Sequence, residues 1–133
     1  MKYFWITIST ILLTSCANLP TKSNSIEGEW KLSMMPTINV KHFHPTLLLK
    51  DGRYKTSGGC HIIAGEYRIE RNKIKFNPNP SQPAAITADA CSSELENIAS
   101  KYYGTVLGAN RYTIIANKLI FKKDGKIVAI YTK

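Results

Sequence analysis

The chain reads as a β-rich α+β domain, a curved antiparallel sheet or partly closed barrel packed on one α-helix. Three observations carry that expectation. Short runs with every second residue apolar recur from residue 28 to residue 131. Two-residue turn signals such as Asp51-Gly52 and Asp124-Gly125 separate several of them. One stretch after Thr87 changes to helical spacing.

The first strand is expected over residues 28–34, around Trp30 and Leu32. Residues 45–50 and 53–57 form the next two, joined as a hairpin through Asp51-Gly52. Residues 65–71 set Tyr67 and Ile69 against Glu66, Arg68 and Glu70, and residues 73–77 set Ile74 and Phe76 against Lys73 and Lys75. A turn at Arg71-Asn72 makes these two a second hairpin. Pro78, Pro80 and Pro83 cannot donate ladder hydrogen bonds, so residues 77–83 read as a loop.

Cys91, Leu95, Ile98 and Tyr102 then recur at spacings of four, three and four, one face of a helix. Glu94 and Glu96 lie early and Lys101 late, as the helix dipole favours. Asp89, or Ser93 with Glu96 as a capping box, is expected to start the helix, and Gly104 or Gly108 to end it. Strand alternation returns over residues 112–115, 118–121 and 126–131, which brings the total to around eight strands.

The amino terminus has a different character. Met1-Lys2 is a short positive segment, and residues 3–13 are mostly apolar. Eleven residues rise only about 16 Å as a helix, against about 30 Å of bilayer hydrocarbon. Residues 1–15 therefore read as a cleavable signal peptide. Leu13-Thr14-Ser15-Cys16 places an aliphatic residue and two small ones before a cysteine. That order lets a peptidase reach the bond before Cys16, whose thiol carries the lipid. Residues 16–26 read as a lipidated flexible tether and residues 27–133 as the domain. Each buried lipid methylene contributes about 0.8 kcal/mol, so acyl chains of the palmitate class on Cys16 anchor a small domain. Ala17, in place of Asp, favours the periplasmic face of the outer membrane over retention in the inner one.

The formal net charge is +9, and losing Lys2 with the signal leaves +8. The cations are scattered, few aromatics interleave with them, and no nucleic-acid motif is present, so nucleic acid is not an expected partner. Most of them alternate with apolar residues, as on the wet face of a sheet. Anionic head groups beside the anchor are the other surface such a charge suits.

Few residues are candidates for chemistry. With Cys16 lipidated, Cys60 and Cys91 have only each other as partner in an oxidising compartment. They are either a disulfide or two buried thiols. His42 and His44 flank Phe43 on one side of an extended segment, and His61 adjoins Cys60. A metal would need Cys60 free, so metal and disulfide compete, and neither a metal nor a cofactor is expected. The nine carboxylates show no pair set apart as acid and base. Ser57-Gly58-Gly59 is neither a nucleophile elbow nor a phosphate loop, and its glycines serve a tight turn. The expectation is a protein without enzymatic activity.

Four segments in order resemble the META domain of HslJ-type heat-inducible lipoproteins. Gly28-Glu29-Trp30-Lys31-Leu32 is similar to the family's opening W-x-L strand. Ser57-Gly58-Gly59-Cys60-His61 with Gly65-Glu66-Tyr67 resembles its G-x-x-G-C-N…G-x-Y segment. Thr87-Ala88-Asp89-Ala90-Cys91 resembles T-x-x-A-C before an acidic helix, and residues 112–119 resemble the closing Y-x-I…N-x-L strands. His61 departs from the family's Asn, and Met34-Met35-Pro36 with the histidine-rich stretch after it is unusual. The resemblance implies a compact β-rich domain with a helix, no agreed catalytic residues, and association with envelope stress and antibiotic tolerance. The functional expectation is a non-enzymatic envelope lipoprotein that binds a periplasmic protein. The alternative is a module holding a small apolar ligand in a sheet–helix cavity.

Cys16→Ser is expected to leave the chain unprocessed or to release it from membranes. Intact mass and membrane fractionation check this, and an unchanged acyl mass shift in the variant contradicts it.

Overall fold

Turn residues set the hairpins. Asp51 and Gly52 have φ of 50° and 74°, and Asp124 and Gly125 have 51° and 80°. Two consecutive positive φ values match the right-handed twist of the strands they join. In a computed structural model, which describes residues 25–41, 43–87 and 90–133, the strands are β1 (Gly28–Met34), β2 (Thr46–Lys50), β3 (Arg53–Ser57), β4 (Ile62–Glu70), β5 (Lys73–Phe76) and β6 (Ala85–Ile86). The helix α1 (Ser93–Leu107) follows, and β7 (Arg111–Ile115), β8 (Lys118–Lys123) and β9 (Lys126–Thr132) complete the chain. The signal segment 1–15, Cys16, most of the tether, His42 and Asp89 lie outside the described residues.

Every pairing is antiparallel. The order β3-β2-β1-β9-β8-β7-β5-β4 returns to β3 through a β3–β4 pairing, so eight strands close a barrel. The expected curved antiparallel sheet or partly closed barrel is found as a barrel closed by eight strands. The reason is the length of β4, which spans nine residues from Ile62 and not from Gly65. Its first half pairs with β3, from Arg53↔Glu66 to Ser57↔Ile62, and its second half with β5. The thinnest seam is β5–β7, with the single registered pair Lys73↔Arg111. The short β6, in a region read as irregular, adds to β4 through Ile63↔Ile86 and Ala64↔Ala85.

Alternation directs Trp30, Leu32, Leu47, Leu49, Tyr54, Tyr67, Ile74, Phe76, Leu119, Phe121 and Tyr131 inward, all buried. Their rings interlock edge to face: Tyr54 with Phe76 at 5.1 Å, Phe76 with Phe121 at 5.9 Å, and Phe121 with Tyr131 at 5.6 Å. Gly65 makes one such contact possible. A Cβ there would lie 2.5 Å from Asn77 Oδ1 and 2.9 Å from a Tyr54 ring carbon. Tyr54 thus crosses β4 and donates its hydroxyl to Asn77 Oδ1 at 2.9 Å. At β1, Trp30 Nε1 donates to the Ile26 carbonyl at 2.8 Å, and Lys133 Nζ sits 4.9 Å above the ring.

The cap of α1 is Ser92, one residue before the expected Ser93, and its side chain accepts from the Leu95 amide at 3.2 Å. Gly108, one of the two expected ends, closes it. Ala99, Tyr102, Tyr103 and Val106 are its buried residues, with Leu95 and Ile98 partly buried. Tyr102 is fully buried, and its hydroxyl lies 2.8 Å from Thr56 Oγ1 and 2.7 Å from the Tyr131 hydroxyl.

The direction of this hydrogen-bond chain follows from its end. Thr56 Oγ1 donates its one proton to the Thr46 carbonyl at 2.8 Å. It must therefore accept from Tyr102, which must accept from Tyr131. Tyr131→Tyr102→Thr56→Thr46 is one polarised relay that ties β9, α1, β3 and β2 together.

Tyr102→Phe leaves the buried Tyr131 hydroxyl without an acceptor, at a cost of about 1–3 kcal/mol. Tyr131→Phe only removes the first donor, so it is expected to cost about 0.5–1.5 kcal/mol. Urea unfolding of the two variants checks that order. Burial also pushes Tyr102 up to about 12, and Tyr131 well above its usual 10. A folded value above the unfolded one means that the stabilisation is complete below pH 10 and is lost as pH rises toward 12. Unfolding followed from pH 9 to about 12 is expected to show that loss, less steeply in Tyr102→Phe.

Candidate functional site

Two places on the barrel combine chemistry with access. The first is built by the register of β6. The pairs Ile63↔Ile86 and Ala64↔Ala85 continue as Thr87, whose amide donates to the Ile62 carbonyl at 3.1 Å and whose Oγ1 accepts from the Ile62 amide at 3.0 Å. The chain toward Cys91 thus starts beside the loop holding Cys60. The two cysteines form a disulfide with Cα atoms 5.9 Å apart, inside the range a bridge needs. Of the two expectations left open, the bond is the one found.

The Cys60 loop is held a second time by Tyr103. The Gly58 amide donates to the Tyr103 hydroxyl at 2.7 Å, and that hydroxyl donates to the His61 carbonyl. A Cβ on Gly58 would lie 2.9 Å from the Tyr103 oxygen, and Gly59 has φ of +82°. The two glycines therefore serve separate needs: close approach of a side chain, and a left-handed backbone. Burial raises the Tyr103 hydroxyl above its usual value, partly offset by the Gly58 amide. His61 Nε2 lies 3.6 Å from Glu96 Oε1, while its buried Nδ1 has no hydrogen-bond partner among the described residues. His44 is exposed and not among the clustered donors Cys60, His61 and Cys91, and Phe43 before it is buried against the Tyr102 ring at 5.8 Å.

Sequence reasoning singled out Cys60, Cys91 and His61 and missed Tyr103 and Glu96. Glu96 and Tyr103 are seven residues apart, two helical turns, so they share a face. That spacing was the available signal. The stripe counted from Cys91 drew attention to Tyr102 instead.

The second place is a groove of about 530 Å³ beside the β5–β7 seam. The seam's backbone bonds run from the Ile74 amide to the Asn110 carbonyl (3.1 Å) and from the Tyr112 amide to the Asn72 carbonyl (3.0 Å). Beyond them, Lys75 and Phe76 stay paired with β4, while their edge toward β7 has no registered partner and borders the groove that the end of α1 also lines. Ile74, Phe76, Leu107 and Ala109 give the groove an apolar floor, and Arg68, Lys73 and Lys75, against the single carboxylate of Glu70, give it a net basic rim. Lys123 Nζ lies near Gly108 at the carbonyl end of the helix, where a cation is favoured.

A disulfide-tied, eight-stranded antiparallel barrel with one inserted helix defines the structural class. The META domain family model matches residues 23–133, nearly the whole described chain, and the protein belongs to that family. The fold is shared with distant solved structures. The NMR structure of a protein from Burkholderia xenovorans matches with a TM-score of 0.60 at 16% identity, covering 80% of this chain and 81% of that one. The crystal structure of a DUF4847 family protein from Bacteroides vulgatus matches with a TM-score of 0.53 at 13% identity, covering 80% and 92%. At these identities the likeness concerns the fold alone. No curated protein matches the chain.

The bridge closes a loop across a sequence separation of 31, which contributes about 3.5 kcal/mol through the unfolded chain. The double variant Cys60→Ser, Cys91→Ser is expected to lose about that much. Thermal unfolding with and without reductant checks it: reductant lowers the melting temperature of the wild type and leaves the double variant unchanged.

Proposed function

We propose that this META domain protein is a non-enzymatic envelope lipoprotein, anchored through Cys16 to the periplasmic face of the outer membrane, whose barrel binds another envelope protein. The observation that carries the reading is the groove beside the β5–β7 seam. It joins an apolar floor to a basic rim on a surface already set by the barrel wall and the end of α1. The partner that suits it is an acidic segment with an apolar side chain to meet Leu107, the partly exposed residue of the floor. The mature charge of +8 adds long-range attraction to such a partner. The Cys60–Cys91 bridge suits an oxidising compartment. A role in envelope stress or antibiotic tolerance fits the family resemblance and would act through that partner.

The alternative, a small apolar ligand, draws on the same groove and not on the barrel interior. Inside, Trp30, Tyr54, Tyr102, Phe121 and Tyr131 are all at most 2% exposed and fill the space a ligand would occupy.

Photo-crosslinking in intact cells separates these readings. A reactive residue at position 75 is expected to give a discrete protein adduct that high salt weakens, and Lys73→Glu is expected to reduce it several-fold. The same probe at position 118, outside the groove, is expected to give none. Equal adducts at both positions, or a lipid-sized adduct at 75, overturn the protein-binding reading.

A further inference from the structure

We infer that the Cys60–His61–Cys91 corner is a redox-gated site for a soft divalent cation of the zinc class, closed while the disulfide stands and opened by its reduction. One donor atom from each of the three side chains lies within 4.8 Å of the other two. Two thiolates and an imidazole around one tetrahedral zinc need metal–sulfur distances of about 2.3 Å and a metal–nitrogen distance of about 2.0 Å. Reaching that geometry requires the two sulfurs to separate and the ring to move by about an ångström, changes within the reach of side-chain rotation. Water completes the fourth position.

Two further observations point to a ligand. His61 Nδ1 is buried without a hydrogen-bond partner among the described residues, a state that ordinarily costs free energy. Its other nitrogen, Nε2, already faces Glu96 Oε1 at 3.6 Å. A carboxylate that closes from 3.6 Å to hydrogen-bond distance of one imidazole nitrogen holds the proton there and leaves the other nitrogen as the metal donor. Glu96 is thus the positioning residue and Nδ1 the ligating atom.

The frame does not rest on the disulfide alone. Tyr103 holds the Gly58 amide and the His61 carbonyl, the Ile62–Thr87 pairing holds the chain leading toward Cys91, and Ser92 caps the helix behind it. Loop and helix start therefore stay together when the sulfur–sulfur bond opens. Cys91 and His61 are partly exposed, which gives a reductant access.

A dithiol reductant supplies the two electrons. Its first thiolate attacks Cys91 Sγ and the Cys60 sulfur leaves as thiolate. Its second thiolate resolves the mixed disulfide and releases Cys91, and the reductant departs as its own disulfide. The two protons it brings go to the cysteines and pass to water when the metal binds.

The test uses the full chain, reduced anaerobically with a phosphine and titrated with Co²⁺. One equivalent is expected to bind with a thiolate-to-cobalt charge-transfer band and tetrahedral visible absorption, and Zn²⁺ is expected to displace it. Oxidised protein is expected to give no such band. Glu96→Gln is expected to weaken binding about 10- to 100-fold, and His61→Asn by more. Reduced protein without the band, or His61→Asn with unchanged affinity, overturns the proposal. If reduction lowers the melting temperature below that of the titration, Zn²⁺ must raise it again in the reduced wild type and not in Cys60→Ser, Cys91→Ser. Failure to raise it also overturns the proposal.

Discussion

The Tyr131→Tyr102→Thr56→Thr46 relay is the constraint around which the barrel and helix are arranged. A barrel filled by aromatic rings is hydrophobic enough to close, but rings alone tolerate sliding of the helix along the wall. Buried hydroxyls do not, because each must find a partner or forfeit the cost of leaving water. Tyr102 meets that demand only when the helix lies at one height and one rotation. Tyr103, one residue on, then reaches the Gly58–His61 loop. Two adjacent helical residues thus serve different neighbours, the barrel interior and the rim, and the second placement follows from the first.

Much of this was legible because strand period and turn chemistry are local properties. Asp51-Gly52 and Asp124-Gly125 announced their hairpins, and the inward alternation of Ile74 with Phe76 is visible in the residues themselves. Closure was not legible. It depends on β4 continuing through Ile62, Ile63 and Ala64, where an apolar run without alternation precedes a glycine. What made Gly65 look like a strand start is the absence of a side chain, and that absence serves the crossing of Tyr54. β6 was hidden for a related reason: two residues after a proline-rich loop carry no period to count. At the candidate site the cysteines were visible as a pair, since arithmetic left them no other partner. Tyr103 and Glu96 were not, because their role is defined by a loop that helical periodicity knows nothing about.

The β5–β7 seam shows how the groove arises from the same geometry. A single registered pair joins the two strands, and the chain between α1 and β7 supplies the hydrogen bonds that a longer β7 would have made. The helix end therefore occupies wall space and leaves Leu107 partly exposed above the buried Ala109 and Phe76. Lys73 and Arg111 stand directly opposite one another, with Lys122 opposite Arg111 on the next strand. Like charges in register are destabilising, and Glu70 opposite Lys73 offsets only one end of the row. An arrangement that folding does not favour on its own is relieved by an anion placed on this side of the barrel.

The disulfide corner and the groove lie at opposite ends of the helix, and this separates their energetics. α1 begins at Ser93, beside Cys91, and finishes at Leu107, on the groove. The helix start is held by a covalent bond and a serine cap, Tyr103 in its later part is tied to the Gly58–His61 loop, and the end is closed by Gly108, the Ala109 amide on the Val106 carbonyl, and packing. A change at the cysteines can reach the groove by moving α1 or through β4, which starts just after Cys60 and carries Arg68 and Glu70 to the groove. Tyr102 opposes that motion from the middle of the helix, because shifting it breaks two buried hydrogen bonds at once. The relay therefore opposes transmission of a change at the disulfide corner to the groove through the helix.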